Sequence, residues 1–229
     1  MKRVGTLLRG IAAIGILSTF LYIGPANAAS NSGENSVWRR MQMPGNHIRQ
    51  RPPISIDAIR ALGLIMRTEN QEDPTYIEAR RVVSDAVAAR LFLNSDEIHR
   101  AWSQAPRDHQ IAVLSALTQL AVPYLEGKED SYVKMDCSGL LWFSWRTAGI
   151  DMPRQAASQL DSRMRVDRKD AIAGDIAGEG THVQMYLGVG LAMIHAPFGG
   201  KFVKFKIMSA EQAARVAWTN PSNIATYRL

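Results

Sequence analysis

Apolar residues recur at helical spacing through the first half of the chain and alternate through the second. Ile59, Leu62 and Met66 predict a short helix over 57–67. Asp73-Pro74 supplies a cap and a first helical residue, and Ile77, Val82, Val83, Ala86, Val87 and Leu91 carry a second helix to about Phe92. Asn94 and Glu97 stand at capping-box spacing before a third, ending near Pro106. Asp108 opens a fourth, with Ile111, Leu114, Leu117 and Leu120 inward and Pro123 at its end. After Tyr124 one apolar helix fits Ser138 to Ala148. Beyond Gly174 the pattern alternates, predicting strands at 182–188, 191–196, 201–207 and 224–228. Helices first and strands later predict an α+β fold with a mostly antiparallel sheet.

The N-terminus follows different rules. Lys2, Arg3 and Arg9 precede an apolar run from Ile11 to Ile23, and Ala26-Asn27-Ala28 follows. That arrangement predicts a signal peptide over 1–28, cleaved before Ala29, with no stable membrane span after processing. The expected compartment is the periplasm, cell wall or exterior. Residues 29–56 read as a linker and basic arm, with four Arg and no acid from Val37 to Pro53. Residues 57–106 read as a helical region and 107–229 as a second domain.

The 229 residues are 46% apolar, which excludes a disordered or collagen-like chain. The formal charge of +6 comes from 27 basic and 21 acidic residues; cleavage after Ala28 would leave 24 against 21. Such mild basicity gives no reason to expect a nucleic-acid partner. From Arg39 to Arg100 there are ten arginines, and from Asp57 to Glu97 eight acids. That near balance suits a packed or docking element, so residues 37–106 are a candidate surface for a protein partner or for self-regulation. With no His-Glu-x-x-His pattern, paired cysteines or phosphate-binding glycine loop, no metal or cofactor is expected.

The chemistry centres on the single cysteine. Cys137 sits where a loop enters an apolar helix, in Asp136-Cys137-Ser138-Gly139-Leu140. Free amides at a helix start favour a thiolate, the nucleophilic form. A base is needed, and the histidines are at 47, 99, 109, 182 and 195. His47 lies in the arm, and His99 and His109 read as surface or cap residues. His182 begins one predicted strand and His195 ends the next. A two-residue loop at Val189-Gly190 would set Gln184 opposite His195, with His182 one diagonal step away on the same face. A three-residue loop would separate the two imidazoles.

These motifs, with Gly174-Asp175-Ile176, His182-Val183-x-x-Tyr186-x-Gly188, Ile194-His195-Ala196 and Ala121-Val122-Pro123-Tyr124, resemble the NlpC-type cysteine peptidases, papain-like bacterial cell-wall endopeptidases. The resemblance covers roughly residues 108–229. It implies Cys137 as nucleophile, His182 as base, His195 as the residue orienting it, and Tyr124 near the oxyanion. It also implies Asp136 and Ser138 as holders of a substrate amine. The implied substrate is the stem peptide of peptidoglycan, cut after γ-D-glutamate. The chain departs from the family at Glu126-Gly127-Lys128, at Gln155 and Ala156, and at Gln184, where a glycine is usual. Two other readings stand beside this one: a catalytically silent wall-binding scaffold, and a thiol amidase or acyltransferase on another acyl substrate.

Overall fold

The computed structural model describes residues 51–68, 70–199 and 201–225. The expected signal peptide, most of the basic arm and His47 lie outside the described residues. Four helices come first: α1 (Pro53–Arg67), α2 (Pro74–Leu91), α3 (Ser95–Gln104) and α4 (Arg107–Thr118). α1 starts four residues earlier than its apolar spacing predicts, because Pro53 sits at the first helical position, where no amide donor is needed. The caps of α2 and α3 follow the sequence. Asp73 accepts from the amides of Thr75 and Tyr76, and Asn94 from those of Asp96 and Glu97. α4 stops at Thr118, short of Pro123. Ala121 turns with φ +66°, and the next residues run extended beside 201–203, with Pro123 bridged to Phe202.

A small hairpin of β1 (Glu129–Asp130) and β2 (Lys134–Met135) leads into α5 (Cys137–Thr147), and a short helix, α6 (Ala156–Gln159), follows. The strands β3 (Ile176–Glu179), β4 (His182–Tyr186), β5 (Ala192–His195), β6 (Lys204–Ile207) and β7 (Ala217–Thr219) make one antiparallel sheet in the order β6-β5-β4-β3-β7. β3, β7 and the helix α7 (Ala210–Arg215) carried no clear sequence signal. The strand expected at 224–228 is not formed where the chain is described. Ser222–Ala225 is a helical turn, α8, started by the Asn220 side chain accepting from the Ser222 amide. The architecture is α+β, the helix that carries Cys137 packed against an antiparallel sheet.

α4 is the centre of the molecule. Every residue from His109 to Thr118 is buried, not only its apolar stripe. It packs against both α1 and α5. Ile65, Tyr76, Val83, Ile98 and Trp102 of the first three helices share one apolar core with Leu140, Leu141 and Trp145 of α5 and with Val183, Met185 and Ile194 of the sheet. Trp102 Nε1 donates to the Leu187 carbonyl at 2.9 Å, and Ser55 Oγ to that of Thr118 at 2.7 Å. Residue 106 therefore marks no break in packing. The opposite face of the sheet carries a smaller core of Ala177, Met193, Ala213 and Trp218.

Candidate active site

Asp136 is the N-cap of α5, its Oδ1 accepting from the Gly139 amide at 2.6 Å, so Cys137 is the first helical residue. Gly139 is required sterically: a Cβ there would stand 2.3 Å from the Lys128 carbonyl oxygen. Gln159 Nε2 donates to the carbonyls of Ser138 at 3.0 Å and Pro153 at 2.9 Å, bracing the same turn. Cys137 is 7% exposed, and its Sγ lies 3.5 Å from the Thr181 carbonyl oxygen. The Val183 amide and the helix-start amides of Cys137 and Ser138 also face the sulfur. The thiol is thus seated on backbone groups from either side of His182.

The strand register does what a two-residue loop requires. Met185 faces Ile194 and Tyr186 faces Met193, so His182, Gln184 and His195 project from one face. His182 Nε2 and His195 Nδ1 are 3.1 Å apart, with the rings edge to face. His182 is half-buried and His195 is 6% exposed. Burial, followed by the charge of Lys206, lowers the His182 pKa. Burial, then His182 and the lysines at 206, 204 and 201, push His195 down to about 3. Both rings are therefore neutral at pH 7.

The thiol does not follow the expectation drawn from the helix start. Burial and the Asp136 carboxylate raise the Cys137 pKa by more than the facing amides lower it. The resting pair is a thiol and a neutral imidazole. Tyr124 is half-buried at the rim, with its ring edge-on to Phe198 at 5.7 Å between centroids. Burial raises its pKa, helped by the charges of Cys137 and Asp136, which places the phenol in the field of the sulfur.

Asp136 and Ser138 are already engaged. Arg154 donates to Asp136 Oδ1 at 3.0 Å and Oδ2 at 2.9 Å, and to Ser138 Oγ at 2.9 Å. Its Nε reaches Glu129 at 2.9 Å. Gly127 N also donates to Asp136 Oδ2 at 2.7 Å. Burial works against the Asp136 carboxylate, but Arg154 and the amide donors outweigh it and hold the pKa below the usual range. Arg154 carried no sequence signal beyond its place after Met152-Pro153, because its partners lie 16 to 25 residues away.

Two other histidines separate from the site. His99 is half-buried on α3. His109, expected at the surface, is 1% exposed: Nδ1 is 3.0 Å from Asp108 Oδ1 and Nε2 is 3.2 Å from Asp175 Oδ1. Burial opposes its charge, but the two carboxylates prevail and raise its pKa. Asp175 leads into β3, so this group ties α4 to the sheet. Among the described residues no group of three or more His, Cys, Asp or Glu could hold a metal ion. No helix among them is long and apolar enough to cross a membrane.

The site sets a buried cysteine at a helix start beside a histidine pair on two adjacent inner strands, β4 and β5, an arrangement capable of thiol chemistry. Residues 121–220 match the NlpC/P60 family model. The chain is 27% identical over 145 residues to the bifunctional muramidase/DL-endopeptidase CwlT of Bacillus subtilis, covering 60% of this chain and 42% of that protein. It is 33% identical over 130 residues to the γ-D-glutamyl-L-lysine dipeptidyl-peptidase of the same organism, covering 53% of this chain and 43% of that one. The chain thus spans less than half the length of these curated relatives. Among solved structures, NlpC2 from Trichomonas vaginalis aligns with 26% identity and a TM-score of 0.44, over 52% of this chain and 49% of that one.

Proposed function

We propose that this protein is an exported cysteine peptidase that cuts the stem peptide of peptidoglycan, at the bond between γ-D-glutamate and the diamino acid. The observation that carries this reading is the pairing of His182 Nε2 with His195 Nδ1 at 3.1 Å, beside a thiol seated on the residues flanking His182. With Nε2 engaged, Nδ1 of His182 is the nitrogen left to take the thiol proton. Sγ then attacks the amide carbonyl, and helix-start amides with Tyr124 stabilise the oxyanion, a contribution on the order of 10²–10³ in rate per donor. The C–N bond breaks as His182 returns the proton to the leaving amine. Water hydrolyses the thioester and frees the sulfur. The names of the curated relatives support the wall peptide as substrate. The charged head, apolar run and Ala26-Asn27-Ala28 support export, with Ala29 the expected first residue by mass measurement.

Digestion of purified wall tests the reading. The expected products are shortened stem peptides and new free amines, without reducing sugar. Cys137→Ser and His182→Ala should abolish them, and His195→Ala should cost less. Undiminished cleavage by Cys137→Ser would end the proposal.

A further inference from the structure

The sheet places one more polar side chain against the histidine pair. Since Met185 faces Ile194, Gln184 faces His195 across the β4–β5 ladder, on the imidazole side of the sheet. Gln184 is 1% exposed, yet neither its Oε1 nor its Nε2 has a hydrogen-bond partner. His195 Nε2 is likewise buried and unbonded. Buried amides and imidazoles with unbonded polar atoms are rare, because desolvation is not offset. A methionine would fill the Gln184 position without that cost.

The proton arrangement shows what the two groups lack. For His182 to serve the thiol through Nδ1, its Nε2 must carry the hydrogen and donate to His195 Nδ1. His195 Nδ1 must then be unprotonated. A neutral His195 therefore carries its hydrogen on Nε2, a buried donor in need of an acceptor. Two residues face His195 across the ladders. Lys204 on β6 has only donors, and Gln184 on β4 has a free carbonyl oxygen. On the same face Trp218 Nε1, beyond Ala177 on β7, is a further buried donor without a partner, and it packs edge-on against Tyr186. Glu179 is exposed at the hairpin end opposite His182, and Lys206 donates to Gln212. Ala177, across from Gln184 on β3, leaves room for the amide to turn.

We propose that Gln184 is a positioning residue: its carbonyl oxygen accepts the His195 Nε2 hydrogen, directly or through one buried water, and locks the tautomer that lets His195 accept from His182. The tautomer and its catalytic consequence both follow from the cysteine-peptidase reading, while the unpartnered Gln184 and His195 atoms stand without it. Gln184 stands where the family resemblance leads one to expect glycine.

Imidazole ¹⁵N spectra of the full chain at pH 7 test it. The wild type should show His195 protonated at Nε2. Q184M, close in shape but without an acceptor, should populate the Nδ1-protonated form. Its kcat on stem peptides should fall about tenfold, with KM within about twofold. Q184E should restore the Nε2 form and move the acidic limb of the kcat profile to higher pH, because a carboxylate stabilises the imidazolium. Protonation at Nδ1 in the wild type would overturn the proposal, and that spectrum needs no variant to fold. Unchanged spectra in Q184M would also overturn it, and a shifted tautomer with unchanged kcat would overturn the catalytic consequence. Should the wild type cleave no wall peptide, the peptidase reading falls while the spectra still decide the Gln184 contact.

Discussion

Arg154→Ala removes the cation that holds the start of α5, the helix that carries Cys137. The guanidinium spans both oxygens of Asp136 and also bonds Ser138 and Glu129. The side chain of Asp136 is only 9% exposed, against 27% for Arg154 and 40% for Glu129. Breaking a fully buried pair costs about 3–5 kcal/mol. Here Gly127 N, Gly139 N and Ser138 Oγ still serve the stranded carboxylate, and water reaches part of Arg154. The Glu129 contact is a surface pair worth under about 1 kcal/mol. A net loss of about 2 kcal/mol follows, which for a protein of this size lowers Tm by about 4–8 °C. The pH dependence has a definite sign. Asp136 titrates below its unfolded value, so its contribution is present above about pH 4 and is lost as pH falls through the folded pKa. Thermal melts of wild type and variant should differ fully at pH 7 and converge toward pH 3. Equal Tm values at pH 7, or a gap undiminished at pH 3, would refute the reasoning.

Three further outcomes follow from the same geometry. Alkylation of Cys137 by iodoacetamide should keep rising above pH 8.5, the ordinary thiol value of about 8.5 being exceeded, with no plateau near neutrality; a plateau at pH 6–7 would show a preformed ion pair instead. His109→Ala should destabilise the fold by about 2–4 kcal/mol near pH 6, because it strands Asp175 in the core. The His109 pKa is raised, so its contribution is full below about 6.5 and fades as pH rises through the folded value; a gap in urea midpoint that widens with pH would contradict this. A fragment of residues 107–229 should fail to melt cooperatively, since it lacks Trp102, Ile98 and Tyr76 from the shared core; a sharp, reversible transition in that fragment would show the helical region to be separable.

Local rules carried much of this protein. The caps at Asp73 and Asn94, the entry of the α5 helix at Cys137 and the face shared by His182 and His195 all depend on neighbours a few residues apart. Spacing sufficed for the caps and the helix entry, while the shared histidine face was one of two outcomes that spacing allowed, and the strand register decided it. Other features required the chain to close on itself. Nothing in α4 announces that His109 will lie between Asp108 and an aspartate 66 residues away, or that the whole helix will be enclosed. The Arg154 clamp depends on three segments meeting at the start of α5. The direction of the Cys137 pKa shift was decided by competition: the helix start lowers it, as the sequence implied, but the depth of burial, a property of the packed structure alone, raises it more. Gln184 reads as a substitution in the sequence. Only the paired strands reveal that it faces His195, because hydrogen-bonding need is local while its satisfaction is set by tertiary contact.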